Sequence, residues 1–249
     1  MSRIVLWLVF WPMLTFADDE ACWSGELAEF WSVGSARDVD GRLLYCEFHR
    51  GEVSAKEDSV IYRAPDGEII AEKNISWDVS RTRPEFVQQD LRSGERIRVQ
   101  QGARWLLDYR ENKNSPVEQV NLSLDEIDVV DAGFDQKVRD HWDELMGGNR
   151  LRIVFAAPAL QRAVPLRVTR RDVEFCPHAA ASDGWRCLWV EADNALVRLF
   201  VDPLRLTYDG QRRLRVFDGV VNIRDGQGKK QKAVILYRYA GEWQSTSGK

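Results

Sequence analysis

From Arg42 onward, short runs of β-branched and aromatic residues alternate with charged ones and are separated by turn dipeptides. This pattern predicts antiparallel strands joined by tight hairpins. The runs before an interruption are Arg42–Arg50, Ser59–Ala64, Glu68–Asp78, Phe86–Arg92, Glu95–Gln101 and Arg104–Glu111. After it come Arg150–Ala156, Val164–Arg171, Arg186–Glu191, Leu196–Val201, Leu204–Tyr208, Arg213–Ile223 and Lys232–Tyr239. Ala64-Pro65-Asp66-Gly67, Ser93-Gly94, Gln101-Gly102, Asp209-Gly210 and Asp225-Gly226 supply turn chemistry between them. A strand roughly every ten residues predicts a meander.

The interruption is Phe134–Met146, where Phe134, Val138, Trp142 and Leu145 recur at helical spacing and Gly147-Gly148 supplies a stop. Asp135 with Arg139 and Arg139 with Asp143 form i,i+4 pairs on the polar side of this amphipathic helix. Strands such as Leu166-Arg167-Val168-Thr169 and Leu214-Arg215-Val216-Phe217 have one dry and one wet face. One helix of about 20 Å cannot cover a sheet of ten or more strands. The sheet must therefore curl on itself. The predicted fold is mainly β: a large curved antiparallel sheet, half-barrel or barrel, with one main helix. No low-complexity linker divides the chain, so residues 18–249 read as a single β-rich domain.

Residues 1–17 carry one positive charge at Arg3, an apolar core from Ile4 to Phe16 and a small-residue stop at Ala17, the pattern of a signal peptide cut after Ala17. The apolar run is too short to span a bilayer, which takes about 20 residues, and no transmembrane span is expected elsewhere. The expected location is periplasmic or secreted. All four cysteines, Cys22, Cys46, Cys176 and Cys187, fall in the exported part, where disulfides persist. Of three possible pairings, Cys176 with Cys187 closes a short loop, and Cys22 with Cys46 pins the N-terminal segment to the first long strand. No CxxC or HxxxH spacing accompanies them to suggest a metal. The net charge of −4 argues against a nucleic-acid partner.

Candidate catalytic chemistry is sparse. No nucleophile elbow, zinc helix or phosphate loop is present, and no cofactor is implied. His141 sits among acids on the helix, and would matter to an envelope hydrolase only if it faced Asp or Ser partners in a cleft. Asp38-Val39-Asp40-Gly41 reads as a turn rather than a calcium loop. Aromatic residues are the richer lead. Tyr45, Tyr62, Trp77, Tyr109 and Trp142 are the candidate lining of a concave pocket, with Arg63 at its rim to meet an anionic headgroup; the same aromatics could instead fill a dry core.

The segments LLYCEFHRG, VIYRAPDGEIIAEKNISW and DAGFDQKVRDHWDELMGG resemble an uncharacterised family of exported bacterial proteins with a YRxPxG hairpin and an FDxxVRxxWxxL helix, over about residues 42–170. Cys22 and Cys46 are additions to that pattern. The family implies no activity. In plan the chain is also similar to Lol-type periplasmic lipid-binding half-barrels, a resemblance of architecture alone, which does not fix function. The expected function is a non-enzymatic protein holding a lipid, acyl chain or other hydrophobic molecule in the concave face of its sheet. A module that binds another envelope protein through a strand edge is the alternative.

Overall fold

In a computed structural model, residues 21–23, 27–51, 56–176, 184–198 and 202–243 are described. The expected signal peptide, residues 1–17, and His178 lie outside them. The described residues form fourteen strands in one antiparallel sheet. In chain order these are β1 (Phe30–Arg37), β2 (Leu43–Gly51), β3 (Glu57–Arg63), β4 (Ile69–Ser76), β5 (Glu85–Asp90), β6 (Arg96–Gln101), β7 (Trp105–Arg110) and β8 (Glu118–Leu122). After helices α1 (Gly133–Asp140) and α2 (Trp142–Met146) come β9 (Leu151–Ala157), β10 (Arg162–Arg171), β11 (Arg186–Ala192), a helical turn α3 (Ala195–Arg198), β12 (Leu204–Tyr208), β13 (Leu214–Val220) and β14 (Lys232–Tyr239).

Every sequential pair but one is a hairpin. The exception is β8 and β9, which form no ladder and are the two edges of the sheet. The circuit is joined instead through β1 and β14, paired from Ser32↔Tyr239 to Arg37↔Val234. The meander is therefore rolled into a barrel-like sheet left unlaced between β8 and β9. Its edges overlap, because the β9–β10 turn at Pro158–Leu160 lies against β6 and β7, and Ala156 and Ala163 join the core formed by Val99 and Leu107.

One side of the sheet can be followed by register across most of its width. Leu188 lies opposite Leu206, Leu206 opposite Phe217, Phe217 opposite Ile235, Ile235 opposite Ala36 and Ala36 opposite Tyr45. Further along, Tyr62 lies opposite Ala71, Phe86 opposite Val99 and Val99 opposite Leu107. This is the concave face. Val138, Trp142 and Leu145 of the helices cover its β9–β12 part, packing on Val168, Leu188, Val190, Leu206 and Tyr208. Tyr45, Tyr62, Ile75, Phe86, Trp105 and Tyr109 fill the remainder. The outer face is dry over β1 and β2, where Leu27 and Trp243 cover Val33, Leu43 and Phe48, and again over β11–β13, where Cys187, Thr207 and Val216 are buried.

Both favoured cysteine pairings are present, Cys22–Cys46 and Cys176–Cys187. The curved sheet with its plugging helix is as expected, with three departures in detail. β1 and β8 were not among the anticipated strands. The helix is interrupted at His141, whose backbone leaves the helical region (φ −108°, ψ 21°) while the apolar spacing continues through it. The run beginning at Leu196 starts as a helical turn, because the Asn194 side chain accepts from the Leu196 N–H (2.8 Å) and favours a helix start; residues 199–201 lie outside the described residues.

The Cys22–Cys46 bridge closes a span of 24 residues and ties the N-terminal segment to the outer face. Replacing both cysteines by serine should lower the unfolding free energy by about 3 kcal/mol, the chain-entropy value for a loop of that length. Urea denaturation checks this, and an unchanged midpoint and slope would show that the bridge is dispensable.

Candidate functional site

The concave face carries polar groups that a purely structural core would avoid. Gly34 of β1 lies between Tyr237 of β14 and Glu47 of β2 in register. A Cβ at Gly34 would stand 2.9 Å from both Ile235 Cγ2 and Tyr237 Cε1, so only glycine lets the tyrosine ring lie across β1. Tyr237 thereby donates its hydroxyl to the buried Glu47 carboxylate (2.9 Å), with His49 Nε2 3.4 Å from the same oxygen. The rings of Tyr45 and Tyr62 meet edge-on with centroids 6.0 Å apart. Burial, with Glu47 nearby, pushes the Tyr45, Tyr62 and Tyr237 phenols well above their usual pKa.

The segment linking β8 to β9 plugs the unlaced seam and is fastened at several points. Arg83 donates to the carbonyls of Leu124 (3.1 Å) and Ile127 (3.4 Å), and the Val130 N–H donates to the Thr82 carbonyl (3.0 Å). The Asp128 and Val129 N–H groups both donate to the Val154 carbonyl, covering the outer edge of β9. Lys73 donates to both carboxylate oxygens of Asp131 (3.0 and 2.8 Å) in a nearly buried ion pair, and Asn222 reaches the same carboxylate (3.3 Å). Asp131 is held at φ 41°, a left-handed conformation uncommon outside glycine. Gly133 follows, so close to the loop before β5 that a Cβ would fall 2.1 Å from the Thr82 carbonyl oxygen.

One end of the roll is strapped by the β13–β14 connection. Arg224 donates from Nε to Glu95 (2.8 Å) and also to the Tyr109 hydroxyl, which itself donates to Glu95 (2.9 Å). Arg92 donates to the Arg224 carbonyl (2.7 Å), and Ile223 is buried beneath the strap. Between this strap and the β1–β2 turn a cleft of about 410 Å³ opens to solvent. Leu44 and Tyr45 form its apolar wall, and Asp38, Arg42, Arg92, Asp225, Gln231 and Lys232 surround it. The Tyr45 hydroxyl is buried and has no hydrogen-bond partner of good geometry.

Of the six residues anticipated as a pocket, Tyr45, Tyr62 and Tyr109 share one core cluster, with Trp77 packed at its margin. Trp142 belongs to the second cluster, edge-on to Tyr208. Arg63 does not join them: it pairs with Cys46 in register and stacks over Phe48 (5.2 Å), on the outer face. The positive groups near Tyr45 are Arg42, Arg92 and Lys232 instead. Among the described residues the His141 ring meets the exposed Glu144 (3.3 Å), and Asp38 accepts from the N–H groups of Asp40 and Arg42 within a turn. Among the described residues no group of three His, Cys, Asp or Glu side chains is placed to hold a metal, and no helix is long and apolar enough to cross a membrane.

No family model and no curated protein matches this sequence. Among solved structures, the chain is similar to a beta-barrel-like protein of domain of unknown function DUF1849 from Brucella abortus. The two are 7% identical, with a TM-score of 0.45 over 86% of this chain and 99% of that one.

Two outcomes are expected from this geometry. All six tyrosines have raised pKa values, chiefly through burial, Tyr109 to about 12. Folded phenols titrating above their unfolded value of about 10 contribute stability below pH 10 that is lost as pH rises through the folded values. Tyrosinate absorbance should therefore stay flat through pH 10 and rise together with unfolding; a separate step near pH 10 would contradict the burial. Lys73→Met, which strands Asp131, should cost about 3–5 kcal/mol. Lys73→Met with Asp131→Asn should recover much of that loss, as measured by denaturant unfolding; additive losses would mean that the two residues act separately.

Proposed function

We propose that this is a non-enzymatic protein of the cell envelope that binds an amphiphile, such as a lipid or acyl chain, against the concave face of its rolled sheet. The observation that carries this reading is the cleft beside the β13–β14 strap. It has an apolar wall of Leu44 and Tyr45, and at its mouth stand Arg42, Arg92 and Lys232, paired with Asp38, Asp90 and Asp202, together with Asp225. That arrangement suits an apolar chain with an anionic head. In the unliganded protein side chains fill the interior. Entry of a chain thus requires movement of elements not laced into the sheet, the strap and the seam plug. Two disulfides support an oxidising, exported setting.

A second reading rests on β8. This edge strand is largely exposed, and its outer side makes no backbone hydrogen bond among the described residues, so a partner protein could extend the sheet there.

Titration of the delipidated mature protein with lauric acid and with lysophosphatidylglycerol, followed by calorimetry, separates the two. The ligand-binding reading expects one saturable site whose affinity falls about tenfold in Arg42→Glu with Lys232→Glu, the loss expected for removing charge-assisted contacts. Absence of binding to either amphiphile, or binding indifferent to both substitutions, would overturn it in favour of the edge-strand module.

A further inference from the structure

A second concavity lies at the other side of the molecule, where the α2–β9 turn meets the ends of β9 and β10. Its volume is about 470 Å³, and its lining is Gly148, Asn149, Arg150, Arg152, Thr169, Arg170 and Arg171. Four arginines line it and no carboxylate does, in a chain whose net charge is −4. Like charges this dense on a small wall repel unless something offsets them. The protein supplies little. Among the described residues Arg152 alone of the four has an acidic partner, Asp193 at 3.4 Å, and its side chain is 72% exposed. Arg170 donates to the Met146 carbonyl at the end of α2 (2.7 Å), which fixes its guanidinium without neutralising it. Arg171 stacks on Trp189 (5.1 Å), whose ring also lies beneath Arg205 (5.7 Å). Among the described residues Arg150 has no acidic partner. Thr169, opposite Trp189 in register, has a buried hydroxyl with no hydrogen-bond partner.

Guanidinium forks match the geometry of phosphate oxygens, and a threonine hydroxyl can donate to the same group. We propose that this cleft is a phosphate-group site, formed on the outer face of β9 and β10 by Arg150, Arg152 and Arg171 with Thr169, while Arg170 points to the helix side. A phospholipid headgroup and a soluble phosphate ester share this chemistry. A neighbouring shelf favours the headgroup: Trp189 packs edge-on to Phe175 (6.1 Å), and Phe175 and Val173 are exposed beside it. An aromatic shelf next to an arginine cleft can enter the interfacial layer while the arginines engage phosphate.

The site is separate from the cleft beside the β13–β14 strap, so it can be tested independently. The mature protein is titrated with inorganic phosphate by calorimetry. In parallel it is sedimented with vesicles of phosphatidylcholine, alone or mixed with phosphatidylglycerol. Each measurement is repeated with Arg150→Gln combined with Arg171→Gln, both exposed positions, and with the milder Thr169→Val. Saturable phosphate binding, weakened about tenfold or more in the double variant, supports the site. Binding to phosphatidylglycerol vesicles that inorganic phosphate competes away, and that the double variant loses, identifies a headgroup. Phosphate binding without vesicle binding identifies a soluble ester. No binding to either probe, or binding unchanged in a folded double variant, overturns the proposal. Should the double variant fail to fold, unchanged binding by Thr169→Val together with the absence of competition by phosphate overturns it equally.

Discussion

The antiparallel ladder between β1 and β14 is the constraint on which the rest of the molecule depends. It joins strands from opposite ends of the chain in the middle of the sheet, so β2–β8 and β9–β13 become two arms of one surface. Rolling brings those arms together, and among the described residues the one sequential pair left unlaced is β8 and β9, which the α1–α2 segment separates. The plug is therefore positioned by topology: the chain must cross from one edge to the other, and the shortest crossing passes through the seam. Long-range pairing of this kind is slow to find in folding and costly in loop entropy, and it is offset here by a ladder whose β1 side is buried on both faces.

The concave face reconciles apolar filling with buried polarity through its tyrosines. A phenol contributes a large apolar ring and one hydroxyl, so Tyr237 can pack in the core and still reach Glu47. The absence of a side chain at Gly34 makes that reach possible. Lys73 and Asp131 serve the same face differently. A buried ion pair adds little net stability over an apolar one, but it fixes which partner the plug finds. The conformation of Asp131 at positive φ is sustained because the pair and Asn222 hold it there. Barrel wall, plug and strap are thus held differently: continuous ladders for the wall, isolated backbone hydrogen bonds and side-chain contacts for the two closures.

Much of this architecture was legible in the sequence because its strands are amphipathic. Leu214–Val220 declares itself by alternation and its flanking turn, and Lys232–Tyr239 by a run of β-branched and aromatic residues. β1 escaped because FWSVGSAR is buried on both faces and contains a glycine and two serines, so no wet face marks its period. β8 escaped because EQVNL has few apolar residues, as suits an edge. The aromatic set was recognised by residue type, but its division into two clusters depends on where the helix lies, which residue type does not reveal. Arg63 was grouped with Tyr62 by proximity in sequence, whereas adjacent strand residues face opposite ways. Glu47, Lys73 and Asp131 had no sequence signal at all, since single polar residues on strands usually mark the solvent face. Only the register of Glu47 with β1 and of Lys73 with β3 and β5, and the path of the plug that carries Asp131, place them inside.

The central claim is that the wall is permanent and the closures are not. Hydrogen exchange resolved to single amides tests it most directly. The account predicts that amides of β1 and β14 around Ala36 and Ile235 exchange slowest, at the rate of global unfolding. Amides from Glu126 to Gly133 should exchange sooner, by local opening of the seam. Exchange of the plug at the same rate as the β1–β14 ladder would contradict it, because the interior would then be sealed by a single cooperative unit with no separate way in.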